Sequence, residues 1–421
     1  MQNHTINKVS FQIPAEDFEQ AKALQSKTKH WSNNTLPILL DKYFSKKWAK
    51  AELIYLDKLE ISIPEYPWLL SENEWFNKID QSLNLTSQQI NPFKLIFHQW
   101  IFYLQTGSFE RNAILKNNKE IGDFLFKNIG QLSNTEISVF TDSTLVSHFF
   151  SRLFSQTDFL FLKILFEKIF KEKGINFEVI LKILSEKLVS EKENSILVLQ
   201  LVFDYLKKGE ERQSLSVLEK IAQNVDFKTI TFTKMAESIG KIELKNKSLH
   251  IINDKTLDCK NAGLVILFPY IKRFFENIGL IQNGEFTEQK SQNTAIQCLQ
   301  YLATGQSISE EEADYLLPKI LCGVEIEYFV EFRDELHDYI KVEADELLKS
   351  VIQNWQKLGN SSIEALRESF LKRNGFITIE ENQIILKVEE SGVDILLDSL
   401  PWGFRNYHLP WMRFNLVTEW Y

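Results

Sequence analysis

The side chains that could carry acid–base or metal chemistry are scattered along this chain of 421 residues. Its seven histidines form no H-E-x-x-H motif and no close pair, so the usual spacing of a zinc site is missing. His337, with Glu335 and Asp338 close to it, is the best single candidate for a general base or a metal ligand. Because a working site needs partners in defined positions, we interpret His337 as a solvated histidine on a helix face.

Three consecutive glutamates, Glu310, Glu311 and Glu312, follow Ser309 where a helix is expected to begin. Carboxylates at this position complement the positive end of the helix dipole, and we interpret the run in this way. A divalent-ion site is the alternative. Together with His337, the run supports a further hypothesis, that the chain is an unrecognised hydrolase or metal-dependent enzyme.

Other catalytic motifs are missing from the sequence. No G-x-G-x-x-G or P-loop pattern is present, and no serine lies in a G-x-S-x-G motif. Cys322 lies in an apolar run, so we predict a buried structural cysteine and not a nucleophile. The sequence therefore predicts no catalytic, cofactor-binding or metal-binding residues.

A repeated Leu-Pro-Trp near the carboxy terminus is the least common local pattern. Proline fixes the backbone, and the indole brings a large apolar area with one hydrogen-bond donor. Such a segment either packs in a domain corner or anchors a partner protein, and several tryptophans together favour a test of the second role. The predicted partner contacts are Trp402, Trp411, Met412, Trp420 and Tyr421.

The charge balance restricts the class of protein further. Asp and Glu number 57 against 48 Lys and Arg, a formal net charge of -9. This charge works against broad binding to nucleic acid or anionic lipid.

The amino terminus has no apolar signal core, and no apolar run is long enough to span a bilayer. We therefore expect a cytoplasmic protein with no membrane insertion; three cysteines without a C-x-x-C pair fit a reducing compartment.

The elements that carry these residues are mainly helical. Phe is abundant at 32, whereas Gly and Pro number 15 and 9, which favours packed helices over a many-turned β fold. We predict a predominantly α-helical α+β protein with short β elements near the N-terminus and in the C-terminal third. The predicted domains are an N-terminal strand-helix-helix-strand unit, a helical domain and a C-terminal α+β domain, at residues 1–66, 67–258 and 259–421.

Apolar periodicity places the individual elements. Near the amino terminus, Val9, Phe11 and Ile13 alternate as in a strand, helices are expected from Phe18 and Pro37, and a second strand covers 54–63. The middle of the chain predicts helices over 158–171, 175–190 and 195–207. In the last third, the pattern predicts a helix over 344–358 and a second helix that Ser361 and Glu364 open as a capping box and that Gly375 ends. It also predicts a hairpin of 376–379 with 384–388, a short helix over 393–400 and a strand over 413–421.

One short sequence occurs twice. YLQTG at residues 103–107 and YLATG at residues 301–305 each end an apolar helical stretch. Glycine in the left-handed conformation is a common way to end a helix, so a shared helix end is the first interpretation. A true internal duplication is the alternative.

Several uncommon motifs occur in order in the carboxy-terminal third. They are NAGLVILFPYI at 261–271, FFE at 274–276, GL at 279–280, YLATG at 301–305, LPKILCG at 317–323, ALRESFL at 365–371, LPWG at 400–403 and LPWM at 409–412. With these motifs, the chain resembles the contractile injection system tape measure family, and the resemblance is specific over residues 260–421. An early segment, LDKL within residues 54–63, is similar to that family's early strand.

This resemblance implies a non-enzymatic role in bacterial phage-tail-like particles, by assembly or by length control. It implies binding to tube, baseplate or other structural proteins, in the cytoplasm during assembly and then within the finished particle. A fully helical chain of this length would reach only about 630 Å at ~1.5 Å per residue, and the capped short helices favour a folded body. The alternative is an assembly chaperone that is absent from the finished particle.

Overall fold

A computed structural model of the chain describes residues 9, 11–47, 59–62, 66–86, 91–140, 147–172, 255–330, 332, 334–380 and 383–420. It divides into two compact units, residues 1–95 and 96–421. The three-domain division made from the sequence stays a prediction. Across the described ranges, no helix combines the length and the apolar character that crossing a membrane requires.

Helices dominate the described residues, as the composition predicts. The helices before residue 173 are α1 (Phe18–Asn34), α2 (Leu36–Lys47), α3 (Glu72–Thr86), α4 (Pro92–Thr106), α5 (Asn118–Lys127), α6 (Asn134–Val139), α7 (Ser147–Gln156) and α8 (Phe159–Glu172). The later helices are α9 (Phe268–Asn277), α10 (Gln289–Thr304), α11 (Leu316–Leu321), α12 (Asp338–Asn354) and α13 (Ile363–Leu366), which a π-helical turn at Arg367–Leu371 continues.

The first unit is built on α1, α2 and α3. Asp17 caps α1, because its side chain accepts a hydrogen bond from the Gln20 backbone at 2.8 Å. The indoles of Trp31 and Trp75 stack with 5.3 Å between ring centroids. These buried aromatic rings tie α1 to α3.

The strands predicted at the amino terminus are not found in the described residues. Val9 and residues 11–15 belong to no strand, and neither do residues 59–62; the remaining residues of 54–63 lie outside the described part. A strand needs a partner to bond its backbone, and alternation alone does not supply one. The Phe11 ring instead packs edge-on against Trp31, 6.1 Å between centroids.

The second unit contains a five-stranded mixed sheet in its described part. Its strands are β1 (Thr256–Cys259), β4 (Gly375–Ile379), β5 (Gln383–Val388), β6 (Asn406–Tyr407) and β7 (Asn415–Glu419), in the order β1-β4-β5-β7-β6. β7 runs parallel to β5 and the other neighbours are antiparallel. A separate hairpin pairs β2 (Ile281–Gln282) with β3 (Glu285–Phe286). The predicted class, predominantly α-helical α+β with strands in the C-terminal third, is therefore confirmed.

One apolar core joins the sheet of the second unit to α9–α13. Helix α10 packs on α11 and α12, and the Trp355 side chain after α12 is fully buried. Short 3-10 segments complete the shell, among them Ala262–Leu267, Glu312–Tyr315 and Gly392–Ser399. At Gly263 the backbones touch, because a Cβ there would lie 1.6 Å from the Phe370 carbonyl oxygen.

Most predictions for the last third are confirmed, with two corrections. The hairpin of 376–379 with 384–388 is present as β4 and β5, paired from Gly375 with Val388 to Ile379 with Ile384. The capping residue before α13 is Ser362 and not Ser361, since the Ser362 hydroxyl accepts from the Ala365 backbone at 3.1 Å. Gly375 does not end this helix, because it opens β4, where a Cβ would lie 2.5 Å from the Lys387 carbonyl oxygen.

The other predicted elements agree in type where they are described. Helix α8 covers the predicted 158–171 and buries Leu162, Leu165 and Phe166, although Leu160 is half exposed. Helix α12 covers most of 344–358, the 3-10 segment Gly392–Ser399 covers all of 393–400 except its last residue, and β7 lies within 413–421. The helices predicted over 175–190 and 195–207 lie outside the described residues.

Candidate functional site

Three charged side chains that are far apart along the sequence meet in the interior of the second unit. Arg152 on α7 lies with its Nε and Nη2 atoms 2.8 Å and 2.9 Å from the two carboxylate oxygens of Glu312. Lys319 on α11 places its Nζ 2.7 Å from the same carboxylate. All three residues are at most 3% exposed. We call this group the Arg152 network.

Arg152 also caps the end of α4. It donates to the carbonyl oxygens of Leu104 and Gln105 at 3.0 Å and 3.1 Å, and to that of Glu327 at 2.7 Å. The last carbonyls of a helix have no partner within the helix, so a guanidinium there satisfies them. Gly107 allows this approach: its φ is +71°, and a Cβ would lie 2.6 Å from Glu312 Oε1.

A second arginine does the same at the other copy of the repeated sequence. Arg367 donates to the carbonyl oxygens of Leu302 and Tyr301 at 3.2 Å and 3.3 Å, and it pairs with Asp345 and Glu364. Gly305 ends α10 with a φ of +78°. The repeat predicts that both helices end at a glycine in the left-handed conformation, and this prediction is confirmed. Each of the two helix ends is also capped by an arginine of its own.

The threonines of the two helix ends make matching bonds. Thr106 and Thr304 each donate to the carbonyl oxygen four residues back, at 2.9 Å and 2.8 Å. Each hydroxyl also accepts from the backbone two residues on, at 3.2 Å and 3.1 Å. These bonds hold the chain as it leaves each helix.

Burial and charge set the ionisation of the network. Burial raises the pKa of Glu312, but Arg152 and Lys319 outweigh it, so this pKa lies below the ordinary value. Burial lowers the pKa of Lys319 to about 8. Burial and the Arg152 charge lower the pKa of His148 to about 4, so this imidazole is neutral at pH 7. The three charged groups are therefore buried inside the unit. Both carboxylate oxygens of Glu312 already bind Arg152 or Lys319, which leaves no access for a substrate there.

A third buried arginine joins the end of the chain to the sheet. Arg373 contacts both carboxylate oxygens of Asp394, at 2.6 Å and 3.1 Å, and its guanidinium lies 5.4 Å from the Trp420 ring centroid. Asp394 also accepts from the Ser391 backbone at 2.7 Å. Trp420 therefore packs on an ion pair that fixes the Gly392–Ser399 segment.

The candidate acid–base residues do not converge. His337 is exposed at the start of α12, with its ring 6.0 Å from that of Tyr339. Glu335 binds Ser307 and Lys341, and Glu310 is exposed. No group of three or more His, Cys, Asp or Glu side chains that could hold a metal ion is found in the described ranges.

The acidic run behaves differently at each residue. Glu311 accepts from the Asn117 side chain at 2.7 Å, and Glu312 is buried in the Arg152 network. A helix does begin at this run, as predicted, but the Glu312 carboxylate has a further role that the helix dipole does not explain. Its carboxylate is used to neutralise two cations in the interior, and the helix that begins there is a short 3-10 segment.

All three cysteines are buried in the second unit. Cys259, Cys298 and Cys322 are free thiols, each at most 1% exposed. Burial raises the pKa of each thiol above its ordinary value. The prediction of a buried, structural Cys322 is confirmed.

The Leu-Pro-Trp repeat is folded against the core. The Trp402 and Trp411 indoles are half buried and donate to the carbonyl oxygens of Ile266 and Leu321, both at 2.9 Å. Met412 and Trp420 are buried at 5% and 3% exposure. Buried side chains present little area to a partner, so this geometry favours the packing role; Tyr421 lies outside the described residues, and partner contact stays a prediction.

The sequence did not single out Arg152 or Lys319. A signal was present, because Arg152 lies three residues after buried Phe149 and directly before buried Leu153, on the apolar stripe of α7. Lys319 likewise interrupts the apolar run of α11. A cation inside an apolar pattern indicates a buried partner, but not which of the 57 acidic residues supplies it.

Comparison with known proteins adds one match. A family model described as contractile injection system tape measure protein matches residues 3–420, nearly the whole chain. No curated protein and no solved structure matches the chain. The match covers both units and every residue of the Arg152 network.

Proposed function

Because the chain belongs to the contractile injection system tape measure protein family, we propose that it helps to build such a particle as a folded, non-enzymatic component that binds other particle proteins. The match over residues 3–420 is the observation that carries this proposal. Tube and baseplate proteins are the proposed partners. The chain is proposed to act in the cytoplasm during assembly and to remain in the particle afterwards.

The folded core of the second unit supports binding over simple extension. Strand pairing joins Thr256 to Thr378 and Gly375 to Val388, and these pairs are lost if the chain is pulled out into one long helix. A protein that sets the length of a tube by its own extended length must be extended along that tube. A folded sheet shortens the length that the chain can span. Length control, which the family name states, is therefore proposed as secondary to assembly by contact.

Deletion of the gene tests the role in assembly. We expect fewer or irregular particles, counted and measured by electron microscopy. Mass spectrometry of purified particles then separates two roles, because a retained component must be detected in them. Detection supports a particle component, and its absence supports the chaperone alternative. Particles of normal number and length in the deletion strain contradict the proposal.

An insertion separates length control from assembly by contact. The exposed turn at Asn283, between β2 and β3, is a suitable position for 40 added helix-forming residues. If the chain sets tube length by its own extended length, the tubes should be longer by about 60 Å, at ~1.5 Å per residue. Assembly by contact predicts unchanged length. An unchanged melting temperature of the purified variant shows that the fold tolerates the insert.

The enzyme alternative has its own test. A His337→Ala variant should support particle assembly at the wild-type level, since His337 is exposed and contacts Tyr339. Elemental analysis of the purified protein should find no stoichiometric metal. Loss of assembly in this variant, or one bound metal per chain, supports an enzyme instead.

A further inference from the structure

The described part of the second unit comes from two separated stretches of the chain. We call residues 96–172 the N-half and residues 255–420 the C-half. We infer that the two halves hold together as one folded body without the covalent link through residues 173–254. This goes beyond the assembly role, because it concerns how the body is made and which contacts keep it closed.

The backbone carries the first step of this inference. The Arg111 N–H donates to the Thr256 carbonyl at 2.8 Å, and the Asp258 N–H donates to the Phe109 carbonyl at 2.8 Å. Residues 109–111 of the N-half thus lie along the outer edge of β1 in the C-half. Without them β1 would be an edge strand with unpaired donors and acceptors.

The side chains next to this strand also cross between the halves. Lys116 pairs with Asp258 at 2.6 Å, and Lys255 pairs with Glu110. The Arg111 guanidinium lies 3.7 Å from the Phe376 ring centroid on β4. Phe102, on α4, belongs to the apolar core that is otherwise formed by C-half residues. The interface therefore combines strand pairing, charge and apolar packing.

The Arg152 network is the buried centre of the same interface. Arg152 comes from the N-half, whereas Glu312 and Lys319 come from the C-half. Separating the halves would leave Lys319 and Glu312 in an apolar setting without the guanidinium that completes them. A charge that stays buried after losing its partner is costly, so these three side chains are satisfied only when the two halves fit together in this one arrangement.

A covalent link between the two halves converts their association into an intramolecular step and so raises their effective concentration. If the contacts above are sufficient, cutting the link should leave the halves associated at micromolar protein. If the link itself holds the body together, cutting should release them.

The test uses the full-length protein with a specific protease site inserted after Gly209. After purification and complete cleavage, we expect the two pieces to co-elute in gel filtration and to unfold in one cooperative thermal transition. Separate elution of the pieces without denaturant overturns the inference.

A paired set of variants identifies the interface in the cleaved protein. Glu312→Gln removes the carboxylate that Arg152 and Lys319 share, and we expect the dissociation constant of the pieces to rise at least tenfold. Glu346→Gln, which removes a surface ion pair with Lys349 inside α12, is the control and should leave it unchanged.

A milder variant covers the case in which Glu312→Gln does not fold. Arg111→Ala removes the contact with Phe376 and leaves the buried network intact. We expect a twofold to tenfold rise in the dissociation constant of the cleaved pieces. Wild-type association in both Glu312→Gln and Arg111→Ala overturns the assignment of this interface.

Discussion

Glu312 neutralises two cations where water does not reach, so each of the three charges depends on the other two. Arg152 and Lys319 both lie within 3 Å of its carboxylate. In such a group the cost of removing one member exceeds the value of any single contact, because the remaining charges stay buried.

We expect Glu312→Gln to lower the free energy of unfolding by about 3–5 kcal/mol, since it leaves Arg152 and Lys319 buried with no carboxylate. Urea denaturation followed by circular dichroism measures the change. Glu346→Gln is the control, and a change below about 0.5 kcal/mol is expected because Glu346 and Lys349 are both more than half exposed. Equal effects in the two variants contradict a special role for the buried carboxylate.

Lys319 gives the unfolding free energy a specific pH dependence. Its pKa is about 8 in the folded protein, because burial disfavours the charge, against 10.5 for an ordinary lysine. Between these values the unfolded chain carries a proton that the folded chain lacks, so this contribution to stability rises with pH. Below pH 8 both states are protonated and the contribution is constant.

The comparison of wild type with Lys319→Met isolates this effect. Buried cysteines and tyrosines with raised pKa values oppose it at high pH, but they are common to both proteins. We expect the wild-type free energy of unfolding, relative to Lys319→Met, to increase by roughly 2–3 kcal/mol between pH 7.5 and 10. A series of urea titrations measures it, and a difference independent of pH contradicts the assignment.

At the scale of elements, the closest contacts are between backbones. Gly263 lies in the Ala262–Leu267 segment against the π-helical turn that ends at Leu371. Its Cα approaches the Phe370 carbonyl so closely that no side chain fits. The packing of these two elements is therefore set by the missing Cβ, and not by side-chain choice alone.

Gly263→Ala should destabilise the protein by more than about 3 kcal/mol, because the new methyl group meets a backbone atom that cannot rotate away. Gly392→Ala is the matched control in another 3-10 segment, where a Cβ meets nothing within 4 Å, and a change within about 0.5 kcal/mol is expected. Thermal denaturation compares them. Equal melting temperatures contradict the close approach.

Elements were predictable where the signal is local. Gly107, Gly305 and the polar connection between β4 and β5 act within a few residues, so helix ends and the hairpin follow from the sequence. The strand expected around Phe11 was not, because a strand depends on a partner that alternation does not identify. The parallel pairing of β5 with β7 also joins residues too far apart for a local pattern to predict.

At the scale of the whole molecule, the predicted boundary at residue 259 meets a direct test. A chain of residues 259–421 lacks Arg152 and most of β1, so we expect no cooperative thermal unfolding. A chain of residues 91–421 keeps α4, the Arg152 network and the strand contact of 109–111, and cooperative unfolding is expected. Near-ultraviolet circular dichroism compares the two. A well-folded 259–421 supports the predicted boundary.

The Arg152 network could not be predicted, because its residues lie far apart along the chain. Arg152 and Glu312 are 160 residues apart, and Lys116 and Asp258 are 142 apart. A single sequence shows that a cation interrupts an apolar stripe, but many acidic residues could complete it. Family membership was accessible because the motifs of residues 261–412 are uncommon and occur in order.

The three thiols of Cys259, Cys298 and Cys322 give the molecule its own chemical reporter. Thiolates react with maleimides and protonated, sheltered thiols do not, so a brief pulse of reagent modifies only chains whose interior has opened. Applied while particles are being made, the pulse distinguishes a chain that stays folded during assembly from a chain that unfolds as it enters the particle. The mass of the recovered chain, with zero or three adducts, gives the answer.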